Sequence, residues 1–235
     1  MTSRVRPTVL LFDVDGTLLS AGGAGRRALE RAFAAHCEGT HALGDVRFNG
    51  MTDPGIVRAG LERLGREAEP SLIAAILDAY LEMLPVELER TPAFRVLPGV
   101  TALLGALTDR PDVAVGLGTG NLRAGAREKL RRAGLDEYFA FGGFGSDHEH
   151  RAELLRIGTM RGVARLGCRP QDVRVIVIGD TPLDMDAARA IGAESLGVST
   201  GGCAPADLCA AGATWAFVDL AAPGVLHALC EGDTE

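Results

Sequence analysis

The sequence is nearly without lysine. Of its 24 basic residues only Lys129 is a lysine and all the others are arginine, so a mechanism that needs an ammonium group has one candidate. Cysteine is sparse as well: Cys37, Cys168, Cys203, Cys209 and Cys230 are odd in number and scattered, with no Cys-x-x-Cys pair. That spacing speaks against a thiolate metal site or a vicinal redox couple and for reduced, buried thiols. No apolar run approaches the roughly 20 residues that span a bilayer, and no small-residue cleavage site follows the first apolar stretch. A cytoplasmic location without a membrane partner is expected. Positive charge is not in excess either: a net charge of −7 offers no general basic face to a phosphate backbone, and a nucleic-acid partner is not expected. Internal repeats and low-complexity segments are absent.

Apolar residues, by contrast, make up 47% of 235 positions, enough for a full core and for one sizeable domain or a core with a small accessory domain. Thr8 to Phe12, an apolar run closed by Asp-Val-Asp-Gly, reads as a buried strand. Residues 22–38, 54–65 and 70–90 carry apolar side chains at helical spacing, with no convincing strand among them. After Pro98-Gly99 the pattern changes. Helices at 99–109, 121–133, 150–166, 182–191 and about 205–211, with one more at the end, alternate with strands at 113–118, 139–141, 173–178, 195–198 and 214–218. Strands separated by helices need crossovers, which implies a parallel sheet covered on both faces. The expected fold is an α/β doubly wound parallel sheet, built from residues 1–20 and 95–235, with an inserted all-helical cap of residues 21–94.

Ligands of such sheets bind beyond the carboxyl ends of the strands. Three strand ends here are polar: Asp13-Val14-Asp15-Gly16-Thr17, Gly118-Thr119-Gly120-Asn121, and Gly179-Asp180-Thr181-Pro182-Leu183-Asp184. Each also has a structural explanation. Asp15-Gly16 could form a hairpin turn; Asp180 or Thr181 could cap a helix opened by Pro182; Asp184 and Asp186 could serve its positive end. Together, three polar clusters on one edge of one sheet favour a site over three coincidences.

Phe12-Asp13-Val14-Asp15-Gly16-Thr17-Leu18, the strand ending at Thr119, and Gly179-Asp180-Thr181-Pro182-x-Asp184 resemble, in order and separation, the first, second and fourth motifs of the haloacid dehalogenase superfamily. The resemblance runs from residue 8 to about 200, and within it the helical-capped phosphoglycolate phosphatase-like group is the nearest. It implies a phosphatase of small phosphorylated metabolites. Asp13 would be the nucleophile that takes the phosphoryl group, and Asp15 the acid and then the base. The Asp13 and Asp180 side chains and the Asp15 backbone carbonyl would hold Mg2+, with Asp184 supporting that shell. Thr119, Gly120 and Asn121 would cradle the phosphoryl group. The chemistry suits the residues, because a carboxylate attacks an anionic ester only where a cation and hydrogen-bond donors offset the repulsion. Asp15 and the absence of a cap lysine place dehalogenation and phosphonate cleavage below phosphatase. A phosphomutase, or a non-catalytic module that binds a phosphate ligand on the same fold, is the alternative.

The family's third motif supplies a basic residue ahead of the fourth motif's strand. Arg151, 29 positions before Asp180, stands there. Lys129 lies ten positions after Thr119, on the helix that follows the second strand, so Arg151 is placed in the site and Lys129 is expected to be silent. In the cap, Thr52 and Asp53, ahead of Pro54, either contact substrate, as similar segments do in relatives, or cap a helix; Arg47 is a further candidate contact. His148 and His150 form a His-x-His pair without a third ligand and are read as a surface loop. Hinges for cap closure are expected near residues 18–22 and 90–98.

Overall fold

The first strand, β1 (Thr8–Phe12), is buried over its whole length, as a run of apolar and β-branched residues with no polar alternation requires. In the computed structural model, which describes residues 6–37 and 42–231, the chain leaves β1 through the Asp13–Thr17 loop into the two-residue β2 (Leu19–Ser20). Three helices follow: α1 (Ala24–His36), α2 (Asp53–Arg63) and α3 (Pro70–Glu89). It returns through β3 (Arg95–Val96), which pairs antiparallel with β2, Leu19 opposite Val96 and Ser20 opposite Arg95. Then come α4 (Val100–Thr108), β4 (Val113–Thr119), α5 (Arg123–Ala133), β5 (Gly142–Phe144), α6 (Arg151–Leu166), β6 (Arg174–Gly179), α7 (Pro182–Ala190), β7 (Glu194–Val198), α8 (Pro205–Ala210), β8 (Trp215–Phe217) and α9 (Val225–Cys230).

The six longer strands form one parallel sheet in the order β5-β4-β1-β6-β7-β8. Its register places Phe12 beside both Leu117 and Ile178. Asp13, Thr119 and Asp180 therefore emerge together at one edge. Alternate residues of β1 feed opposite faces. Val9 and Leu11 pack with Leu154, Leu155, Val163 and Ala188 beneath α6 and α7. Leu10 and Phe12 join Leu104, Ala126 and Leu130 on the other face, in a cluster that continues without a break into the inserted helices through Leu29, Phe33, Ile76 and Leu84. No helix among the described residues is long and apolar enough to cross a membrane.

The doubly wound sheet and its helical insert agree with expectation, while β5 does not lie where the sequence suggested. Residues 139–141 are not a strand; the strand is Gly142–Phe144, after a short helical turn at Asp136–Tyr138. Its glycines answer to the close approach of α6, since a Cβ on Gly143 would stand 1.8 Å from the Leu154 carbonyl oxygen. A strand chosen for lack of side chains carries no hydrophobic pattern to read. Strands β2 and β3 are too short to show one.

Candidate active site

Asp13 follows β1 directly, its N–H donating to the Ile178 carbonyl at 2.8 Å, and it is buried. Burial pushes its carboxyl up to about 6; Arg151 opposes that shift, Asp184 adds to it, and the Thr119 hydroxyl lowers it again. Asp180, at the end of β6, is also buried and accepts from the Thr17 hydroxyl at 3.2 Å. Burial first, then the charges of Asp184 and Asp13, lift its carboxyl to about 8. In both, burial is the larger cause and the neighbouring carboxylates the smaller, so the site holds acidic groups withdrawn from water.

Asp184 completes the acidic group. Asp13, Asp180 and Asp184 each offer an oxygen, all within 4.8 Å of one another. Thr181 caps α7 with Pro182 behind it, and Asp184 reciprocates: its Oδ2 accepts from the Thr181 N–H at 3.0 Å and the Thr181 hydroxyl at 2.7 Å. Its Oδ1 faces the Arg151 guanidinium. The capping explanation of this segment is thus correct for Thr181, and the cap is itself what orients Asp184.

Arg151 is the first residue of α6. One guanidinium nitrogen lies 3.3 Å from Asp13 Oδ2 and also contacts Asp184, while another reaches the Gly50 carbonyl at 3.4 Å. Its Nε is buried with no partner. Burial opposes its charge, and the two aspartates outweigh that and hold it above the ordinary arginine value.

Asp15 lies apart from the acidic trio, its side chain 42% exposed. Its Oδ2 accepts from Lys129 Nζ at 2.5 Å and from Asn121 Nδ2 at 2.9 Å. Lys129 also donates to Asn121 Oδ1 at 2.6 Å, and Asn121 donates from both backbone and side chain to the Thr119 hydroxyl at 3.3 and 2.9 Å. Lys129 is 4% exposed. The expectation that it stands away from the site is therefore corrected: its ammonium is buried against Asp15, and both basic candidates converge here. The sequence held a signal for this, since Lys129 shares one face of α5 with buried Ala126 and Leu130 at helical spacing.

The inserted helices close over the sheet edge. Thr52 is the N-cap of α2, accepting from the Gly55 N–H at 3.3 Å, and its hydroxyl donates to the Glu149 carbonyl at 3.0 Å. Asp53 does more than open the helix. Its Oδ2 accepts from the Leu122 N–H at 2.8 Å and its own N–H donates to the Gly120 carbonyl at 2.8 Å. Burial raises its carboxyl to about 6 against the pull of Lys129 and that N–H. A Cβ on Gly120 would stand 2.2 Å from the Met51 carbonyl oxygen, so the backbone of the 49–53 loop rests on a residue that must have no side chain. Arg58 and Glu149 add a two-pronged pair at 2.9 Å per bond, which the sequence did not reveal because 91 positions separate them. Exposed Arg47 lines the cavity beneath this roof.

That cavity, about 990 Å³, is bounded by Asp13, Asp15, Lys129, Arg151 and Asp180 below and by Phe48, Met51 and Tyr80 above. His148 and His150 lie with ring centroids 5.3 Å apart and planes tilted by 34°, the His150 N–H donating to His148 Nδ1; among the described residues they join no metal-ligand group.

The fold and the sequence can be compared with known proteins. No curated protein sequence matches the chain. Among solved structures, CbbY from Rhodobacter sphaeroides in complex with phosphate superposes with a TM-score of 0.71 at 19% identity, covering 95% of this chain and 99% of that one. The same protein, as a mutant, is also known in complex with xylulose-(1,5)-bisphosphate. A predicted phosphoglycolate phosphatase from Haemophilus somnus gives 0.65 at 16% identity, covering 96% and 98%. A hydrolase from Pseudomonas syringae gives 0.65 at 22% identity, covering 91% and 94%. The haloacid dehalogenase-like hydrolase family matches residues 7–192, a span holding every strand-end carboxylate described above, and the chain belongs to that family.

Proposed function

We propose that this chain is a Mg2+-dependent phosphatase of small phosphorylated metabolites that passes the phosphoryl group through Asp13. One observation carries the reading: Asp13, at the mouth of β1, has Arg151 3.3 Å away and two further carboxylates within 4.8 Å, in a roofed cavity. A buried nucleophile flanked by a planar cation and an uncompensated acidic group is what attack on a phosphate ester needs.

The donor set fits Mg2+, a hard cation held by a few carboxylate oxygens. Asp13 and Asp180 would hold it, together with the Asp15 carbonyl. Asp184, with both oxygens engaged by Arg151 and Thr181, would orient the others. When bound, the ion supplies positive charge where the attacking carboxylate and the phosphoryl oxygens repel each other.

A carboxylate oxygen of Asp13 attacks phosphorus as the ester P–O bond breaks, and Asp15 gives its proton to the leaving oxygen. Asp15 then takes a proton from the water that attacks the aspartyl-phosphate, freeing phosphate and restoring Asp13. Arg151 balances charge on the equatorial oxygens and has an unpartnered buried Nε to spend. Thr119 and the Gly120 N–H face the same group. Residues 21–94 act as a cap over a core of residues 1–20 and 95–235, opening about the β2–β3 connection and choosing the substrate. The ligands of the CbbY structures, phosphate and a sugar bisphosphate, suit such a cavity.

Turnover of p-nitrophenyl phosphate tests the assignment. Wild type with Mg2+ should release nitrophenol, and Asp13→Asn should release none while keeping the far-UV circular dichroism of the folded wild type. Asp13→Asn turning over at wild-type rate would remove the nucleophile.

A further inference from the structure

Tyr80 projects from α3 to the junction of cap and core and is 1% exposed, yet its hydroxyl has no hydrogen-bond partner among the described residues and the side chain lines the cavity. Two helices leave it room. A Cβ on Gly25 of α1 would come 3.9 Å from the phenol oxygen and 3.8 Å from Lys129 Nζ, and one on Gly125 of α5 would come 3.6 Å from that phenol oxygen. Phenol oxygen and ammonium therefore both lie beside Gly25, and both side chains line the cavity. Around them, Asp53 Oδ2 accepts from the Leu122 N–H, Asp15 Oδ2 from Lys129 and Asn121, and Asn121 is held by Lys129 and Thr119. Lys129 spends two of its three N–H bonds on Asp15 and Asn121. One N–H and the Tyr80 O–H remain. Burial, with Asp53 and Asp15 nearby, pushes the phenol well above its ordinary value, so it stays protonated and can donate.

The Tyr80 O–H opens on the cavity with no protein acceptor among the described residues, so a ligand oxygen there can take it. On the phosphatase reading, Asp15 touches the ester oxygen of the substrate, and whatever lies beyond that oxygen is next to the Lys129 that holds Asp15. We propose that Tyr80 and Lys129 form a leaving-group subsite, and that the substrate is a phosphate ester whose leaving alcohol carries an acceptor oxygen, a hydroxyl or a carboxylate, which takes the Tyr80 O–H. A plain alkyl leaves both donors empty and is rejected for that reason.

Binding tests this apart from turnover. In the full chain carrying Asp13→Asn, with Mg2+, calorimetry compares glycerol 3-phosphate, 2-phosphoglycolate and ethyl phosphate, with Tyr80 intact and with Tyr80→Phe, which keeps the ring. The hydroxyl probe should weaken about 10-fold, or the carboxylate probe about 10- to 100-fold, while ethyl phosphate changes by less than about two-fold. Whichever probe responds names the acceptor. Equal weakening of all three esters, no change in any, or no binding by any overturns the subsite. Failure of wild type to hydrolyse p-nitrophenyl phosphate would strike the phosphatase reading and leave this comparison intact.

Discussion

The Arg151 guanidinium lies between Asp13 and Asp184, 3.3 Å from the Asp13 carboxylate, and is nearly closed to solvent. Among the described residues it is the one cation touching both Asp13, the proposed nucleophile, and Asp184. Arg151→Ala should lower kcat on p-nitrophenyl phosphate by about 100-fold or more, since a charge aimed at the transferring group is lost. Arg151→Lys should recover part of that, keeping charge and losing the fork. Steady-state rates settle it, and an Arg151→Ala enzyme at full rate would displace Arg151 from the reaction.

Lys129→Met should be costly, contrary to what its position along the chain suggests. Without the ammonium, Asp15 loses its 2.5 Å partner and the orientation that proton transfer needs. The loss, about 10-fold or more in kcat, should be larger for an alkyl phosphate than for an aryl one, because a nitrophenolate leaves without much help. Rates on the two substrates measure the difference; equal losses would point to a packing role alone.

Mg2+ should stabilise the protein through the same carboxylates that burial has raised. At about 100 times its dissociation constant a ligand adds roughly 2.7 kcal/mol, or about 5–10 °C in a chain of this length. Asp180→Asn should lose that shift. In the metal-free state it should melt above wild type at neutral pH, since folding the wild type must place a proton on a carboxyl raised to about 8, whereas an amide needs none. A wild-type-sized Mg2+ shift in Asp180→Asn would exclude Asp180 as a ligand.

Gly120→Ala should act on the roof. Its new methyl would meet the Met51 carbonyl at 2.2 Å, so the 49–53 loop must lift, taking Thr52 and Asp53 from their core partners. A misplacement of this size costs about 100-fold in rate. Limited proteolysis should show the loop cut faster than in wild type, and unchanged cleavage would mean that the loop finds another seat.

Asp53 provides a pH dependence of stability. Its carboxyl is near 3.8 when unfolded and about 6 when folded, so the folded state holds the extra proton and stability from this group falls as pH rises from about 4 to about 6. The full difference is on the order of 3 kcal/mol. Asp53→Asn keeps an acceptor for the Leu122 N–H and has nothing to titrate. Subtracting its chemical-denaturation profile from that of wild type should give a relative loss of wild-type stability across that window; parallel profiles would show that Asp53 is not buried as a carboxyl.

Much of this was legible in the residues themselves. Val9 to Phe12 announced a central parallel strand because both its faces are apolar, and the three strand-end clusters announced where ligands gather. Of Thr52 and Asp53, read as helix caps or substrate contacts, Thr52 caps α2 and Asp53 clasps the Leu122 N–H. Glycine-built β5 was misplaced by three residues because its reason, the approach of α6, is a property of the packed state. Lys129 and Tyr80 were hidden for a related cause. Each lies among apolar neighbours at core spacing, and only tertiary placement shows what the polar tip of each touches.

The β2–β3 pair has a consequence for how this chain can change. Leu19 and Val96 face one another across an antiparallel ladder, about 5 Å apart, although 76 positions lie between them. The insert thus begins and ends at nearly one point in space. Its lengthening or exchange for another would leave the pairing of β1 in the six-stranded sheet untouched, provided that the replacement covers the apolar face now shared through Leu29, Phe33, Ile76 and Leu84. A new roof need only enter and leave at that pair, so it can be exchanged as one contiguous stretch of sequence while the strand-end carboxylates keep their places on the sheet.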